Sequence, residues 1–152
     1  MHQPGKEYAM KTKHIKCILV LLLVVFVVYS WFHVRGSEID GVQEISDSCT
    51  VTVRAYQHLE YENRTEYTLN SEQIQELKNL ILDSSFTRVL ASYVTFEDQN
   101  MYDILIDFNN GQDFISIHNI GSEYIAVTNQ FGDKHLKINN PEWKSTLERI
   151  IS

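Results

Sequence analysis

Residues 101–118 read M-Y-D-I-L-I-D-F-N-N-G-Q-D-F-I-S-I-H. Tyr102, Ile104, Ile106 and Phe108 take alternate positions, with Asp103 and Asp107 between them. Successive side chains of a strand point to opposite faces, so this stretch is a strand with one apolar and one polar face. Asn110-Gly111 supplies two residues that accept positive φ, as a tight hairpin requires. Residues 113–118 are then the return strand.

Toward the C-terminus the pattern repeats. Asn119-Ile120-Gly121-Ser122 turns the chain, residues 123–128 alternate again, and Phe131-Gly132-Asp133 turns it into residues 134–138. Strands joined by connections this short are antiparallel neighbours. A helix closes the chain. Asn140 is a good cap, and Pro141 suits a first helical position that needs no N–H. Trp143, Leu147, Ile150 and Ile151 form its buried stripe.

Toward the N-terminus, residues 86–96 read as extended, with Val89, Tyr93, Val94 and Phe96 as apolar contacts. Before them lies the clearest helix. Asn70 or Ser71 caps it, and Gln73 follows Asn70 at capping-box spacing. Ile74, Leu77 and Ile81 make its stripe, Leu80 widens it, and Glu72, Glu76 and Lys78 lie outside. It stops near Asp83-Ser84-Ser85. Upstream, Val51, Val53 and Ala55 alternate with Thr50, Thr52, Arg54 and Tyr56. The acidic residues 58–63 form a turn, and residues 65–69 pair back as a hairpin. The order β-β-α-β-β-β-β-β-α over residues 50–152 predicts an α+β domain: an antiparallel sheet with two helices packed on one face.

Further upstream, residues 17–34 read C-I-L-V-L-L-L-V-V-F-V-V-Y-S-W-F-H-V, without a formal charge and bounded by Lys16 and Arg35. As a helix they span roughly 27 Å, close to the hydrocarbon core of a bilayer. They predict a transmembrane helix whose partner is the lipid bilayer. Lys6, Lys11, Lys13 and Lys16 precede it, so residues 1–16 are expected in the cytoplasm. Tyr29 and Trp31 crowd the exit, where amphipathic rings favour the headgroup layer. A cleaved signal peptide is the rival reading, with a poor cut site at Val28-Tyr29-Ser30, but the apolar run is long for one. A lipoprotein fits less well, because Cys17 opens the run instead of ending it. Residues 35–49, with their glycines and serines, are expected to be a tether that keeps the domain close to the bilayer.

Charge separates the two parts. The first thirty-five residues hold five Lys and Arg against one Glu; the remainder hold eight against nineteen acids. A surface this acidic repels nucleic acid, which is therefore not an expected partner. Cys49 is the only cysteine beyond Cys17, so no disulfide framework exists within the domain. Cys49 is expected as a buried thiol near a strand start. A small anchored domain without disulfides looks more like a bacterial surface protein than an animal ectodomain.

Four groups of residues are candidates for chemistry or contact. His58-Leu59-Glu60, with Glu62 beyond, sets an imidazole and carboxylates on one side of an extended segment. His118 and His135 lie on strands that could be near one another. Asp103 and Asp107 stand four apart on one strand, about 13 Å from each other, too far to share a proton. Six tyrosines, at 56, 61, 67, 93, 102 and 124, lie in or beside strands and could offer contact surface. Neither H-E-x-x-H, C-x-x-C, G-x-S-x-G nor a phosphate loop is present. The sequence thus names no catalytic, cofactor-binding or metal residue and no cofactor, and it leaves the oligomeric state open. It predicts an anchored, non-enzymatic extracytoplasmic module that contacts a protein or envelope component. The alternative is a metal-binding sensor or small enzyme using His58, Glu60, His118 and His135.

Overall fold

The computed structural model describes residues 4–57, 64–89, 100–121 and 123–152. They form two compact units that divide between Phe32 and His33. The first is one helix, α1 (Pro4–Phe32). Within it, His14–Phe32 is long and apolar enough to cross a membrane by length and composition. Its apolar side chains are exposed on every side, Leu21, Val24 and Phe26 among them. A helix that is apolar all round has no stripe to set against a protein core.

The second unit carries thirteen elements less α1 and opens on a strand that the sequence reading did not foresee. This is β1 (His33–Arg35), followed by two single 3₁₀ turns at Gly36–Glu38 and Val42–Glu44. Then come β2 (Thr50–Gln57), β3 (Thr65–Thr68), α2 (Ser71–Leu82), β4 (Ser85–Arg88), β5 (Asn100–Asp107), β6 (Phe114–Ile120), β7 (Tyr124–Asn129), β8 (Gly132–Ile138) and α3 (Trp143–Ile151). After β1 this is the expected order, and the α+β class holds. All described strands join one antiparallel eight-stranded sheet in the order β1-β4-β8-β7-β6-β5-β2-β3.

One face of the sheet makes the core. Val51 and Val53 of β2, Ile104 and Ile106 of β5, Ile115, Ile117 and Ile120 of β6, Ile125 and Val127 of β7, Leu136 of β8 and Phe86 of β4 are all buried there. Against them pack Ile74, Leu77 and Ile81 of α2 and Trp143, Leu147 and Ile150 of α3. Fully burying one such side chain stabilises by about 1.5–3 kcal/mol, which makes this face the main source of stability. The capping box of α2 forms as read: Asn70 Oδ1 accepts from Gln73 N, and Gln73 Oε1 accepts from Asn70 N, both at 3.0 Å.

Four expectations need correction. The apolar helix ends at Phe32, because His33 and Val34 leave it for the sheet, where Val34 pairs with Phe86. Residues 35–49 are not a free tether. Ile39, Val42 and Ile45 are buried in the core, and Lys78 Nζ donates to the carbonyls of Gln43 (2.8 Å) and Ile45 (2.7 Å). Their serines and glycines masked an apolar spacing of three. Helix α3 begins at Trp143, not at Pro141: Asn140 closes a turn first, its side chain accepting from Glu142 N and its carbonyl from Trp143 N. The β5–β6 connection is a six-residue loop in which Asn109 and Gly111, not Asn110, take positive φ. Of the extended run expected over residues 86–96, the described part is β4 and Val89; Tyr93, Val94 and Phe96 lie outside the described residues.

Candidate functional site

The second sheet face carries residues of the opposite parity. Its centre is built by a β-bulge. Ile104 pairs with Ile117 and Tyr102 with Ile120, so β6 spends two residues, His118 and Asn119, against the single Asp103 of β5. A bulge bends its strand and re-aims a side chain. Here it brings His118 over Asp103 while Ile117 and Ile120 both stay in the core.

A hydrogen-bonded chain results. Tyr56 Oη donates to Asp103 Oδ1 at 3.0 Å. His118 Nδ1 stands 3.3 Å from Asp103 Oδ2. His118 Nε2 meets Ser116 Oγ at 2.8 Å, two residues back on the same strand. The Asp103 side chain is only 20% exposed, against 42% for His118, so the carboxylate is the better shielded end. The hydrogen bond to Asp103 raises the His118 imidazole above its ordinary value of 6.5. Partial burial opposes the rise, the charges of Asp103 and Asp133 add to it, and Arg54 lowers it. Arg54 lies beside this centre, pairs across the sheet with Asp103 in register, and is bound to Glu66 at 3.0 Å.

The order carboxylate–imidazole–hydroxyl is the one that activates a serine. Acyl transfer also needs free N–H donors aimed at the developing oxyanion. Ser116 lies mid-ladder, between Leu105 of β5 and Thr128 of β7, where strand N–H groups belong to the sheet. What the geometry shows is a half-buried carboxylate that favours the charged form of the imidazole beside it.

The other residues singled out from the sequence are distributed as follows. His135 stays apart from His118: each pairs with Ala126, one on either side of β7. Asp107 is exposed at the far end of β5, accepting from Asn109 N at 2.7 Å, and does not meet Asp103. His58, Glu60, Glu62 and Tyr61 lie outside the described residues. Among the described residues no three His, Cys, Asp or Glu side chains are placed to hold a metal ion together. Cys49 is buried in the core just before β2. Tyr102 belongs to the helix side, where its hydroxyl donates to Glu148 of α3 at 2.9 Å. Tyr56 is bonded to Asp103.

In the sequence Asp103 and His118 stand as separate strand residues, and no motif marks Ser116. A signal was present: the apolar positions Ile115, Ile117 and Ile120 break strict alternation by one residue. That break is the signature of a bulge. A cleft of about 350 Å³ lies at the other end of the sheet, beside Gly121, Lys137, Asn139 and Lys144. Its lysines are countered by Glu123 at 2.9 Å and Glu148 at 4.0 Å, so it is not a free cationic pocket. Neither family models, nor curated proteins, nor solved structures give a match to this chain.

Proposed function

We propose that this chain is a single-pass membrane protein whose second unit is a non-enzymatic contact module for a protein or an envelope component. The observation that carries this reading is the division of the sheet. Helices α2 and α3 pack on one face, and the other presents an ordered polar surface around Tyr56, Asp103, His118 and Arg54. Ordered, half-buried polar and aromatic groups suit recognition, because little side-chain entropy is left to lose on binding. The anchor is α1, inside the cell at its basic start and outside at its aromatic end, in keeping with the lysines that precede the apolar run. The chain enters the sheet at His33, directly after Phe32, so connectivity alone keeps the module at the membrane. A bacterial cell surface suits this plan.

Two measurements test the reading. Protease added to intact cells should remove the module and spare the N-terminus; a protected module would overturn the orientation. A photo-crosslinker placed at Thr128 on the polar face should capture a specific protein or envelope polymer from native membranes. The same crosslinker at Glu72, outside the stripe of α2, should not. Equal yields from both positions would overturn the assignment of the contact face.

A further inference from the structure

The chain Tyr56–Asp103–His118–Ser116 has a direction. Asp103 is its fixed end. Its Oδ1 accepts from Tyr56 Oη at 3.0 Å, and its Oδ2 faces His118 Nδ1 at 3.3 Å. An ionised carboxylate can only accept, so Nδ1 keeps its hydrogen in both charge states of the imidazole. A bare Nδ1 would set its lone pair against the carboxylate. The other ring nitrogen, Nε2, is then the one that gains and loses the proton. Its partner is Ser116 Oγ at 2.8 Å, a hydroxyl that can donate or accept.

The two charge states give Ser116 opposite roles. In the imidazolium, Nε2–H donates to Ser116 Oγ, and the hydroxyl hydrogen is released to another partner. In the neutral ring, Nε2 offers a lone pair, Ser116 Oγ–H donates to it, and only oxygen lone pairs remain. The register supplies the next partner. Ser116 pairs with Thr128 of β7, a half-buried hydroxyl on the same face. Side chains directly opposite stand about 4.5–5.5 Å apart at Cβ, a separation at which serine and threonine hydroxyls bond. Ser116 is only 8% exposed, so water competes poorly for the released hydrogen.

The charged and titratable groups around His118, among the described residues, come from four strands. Strand β5 gives Asp103, and β2 gives Tyr56 and Arg54, the latter held by Glu66 of β3. Strand β7 sets Ala126 opposite His118, with Tyr124 two residues away. Beyond it β8 carries Asp133, His135 and Lys137, the last bound to Glu123. Of these groups Asp103 bonds the ring, and the charges of Asp103 and Asp133 favour the imidazolium against Arg54 and burial.

We propose that His118 is a proton-operated switch in the polar face: its proton sets the direction of the Nε2–Ser116 hydrogen bond, and so whether the Ser116–Thr128 pair presents a donor or an acceptor. With His118 charged, Ser116 donates to Thr128, whose own hydrogen turns outward. With His118 neutral, Thr128 donates to Ser116 and shows its lone pairs. The use of the switch in binding rests on the reading of this face as the contact surface. A partner carboxylate or carbonyl is favoured in the charged state and a partner donor in the neutral one.

The test uses the full chain in detergent micelles, with isotopically labelled histidine nitrogens read by magnetic resonance. The His118 signals are those lost in His118→Gln. As pH rises, Nε2 should lose its hydrogen and Nδ1 should keep it, with a midpoint above 6.5. Ser116→Ala should leave proton loss at Nε2 but move the Nε2 signal of the neutral ring, which in the parent accepts from the hydroxyl. Loss of hydrogen from Nδ1 instead, or an Nε2 signal identical in parent and Ser116→Ala, would overturn the switch. No partner enters this spectrum. Its failure therefore leaves the contact reading standing, whereas failed capture by the crosslinker at Thr128 overturns the contact reading and leaves the switch.

Discussion

The two faces of this sheet are made by the same strands and are held by different physics. On the helix side Val53, Ile104, Ile117 and Leu136 are at most 1% exposed and meet Leu77, Ile81 and Trp143 in a close-packed layer. That face is non-directional: any apolar side chain of similar volume would serve nearly as well. On the opposite face Arg54, Asp103, His118 and Ser116 are partners by geometry, each fixed by a bond of about 3 Å. The first face stabilises the fold, and the second carries the polar groups proposed above as the contact surface. Their sensitivity to substitution should differ accordingly.

The largest effect belongs to the packed face. Trp143 is 1% exposed and seats α3 on the sheet. Trp143→Ala should cost about 3–5 kcal/mol, a large part of the stability of a domain this size, and lower the melting point sharply in detergent micelles followed by circular dichroism. Its indole N–H has no hydrogen-bond partner among the described residues. An unsatisfied buried donor carries a penalty of its own, so Trp143→Phe should cost much less. If both variants melt like the parent, the packed face is not what holds the fold.

A smaller effect tests where that face ends. A Cβ on Gly36 would lie 1.6 Å from the carbonyl oxygen of Ile81, a backbone atom that cannot step aside. The entry segment is docked there by Gly36 N donating to Ser84 O at 2.9 Å. Gly36→Ala should destabilise by about 1–3 kcal/mol, the usual range for overpacking, and raise hydrogen exchange over residues 36–48. A neutral outcome would return that segment to the role of a tether.

The smallest effect belongs to the polar face and depends on pH. His118 is raised in the folded state, so its contribution is fully present below the unfolded value of about 6.5 and is lost as pH rises through the higher folded value. The pair is partly exposed and solvent screens it, so the whole term stays below about 1 kcal/mol. Melting points taken upward from about pH 6 should fall slightly in the parent and lose that slope in Asp103→Asn. An identical slope in both would mean that Asp103 is not the partner that raises His118.

Legibility followed the same division. The packed face was readable because burial imposes a period: two in β5 and β7, three and four in α2 and α3. Tyr102, Ile104, Leu77 and Leu147 were all placed from spacing alone. The polar face was not readable, because its pairs are non-local. Asp103 and Tyr56 are forty-seven positions apart in the chain, and only sheet register brings their side chains to 3.0 Å. The entry segment failed for another reason: Ile39, Val42 and Ile45 are spaced as in a helix, but serine, glycine and acidic neighbours made the stretch look like a linker.

By itself the sequence determined the α+β class, the order of elements after β1, the core-facing stripes and an apolar helix of membrane-spanning length. Each depends on local propensity or on periodicity, and both act over a few residues. Only the tertiary structure decided that β1 and β4 join the sheet beside β8, that residues 36–48 dock onto α2, and that Tyr56, Asp103, His118 and Ser116 meet at a bulge. Those outcomes depend on which strands are neighbours and on their register. Contacts between distant residues decide that, and a one-residue slip would carry every side chain of a strand to the other face.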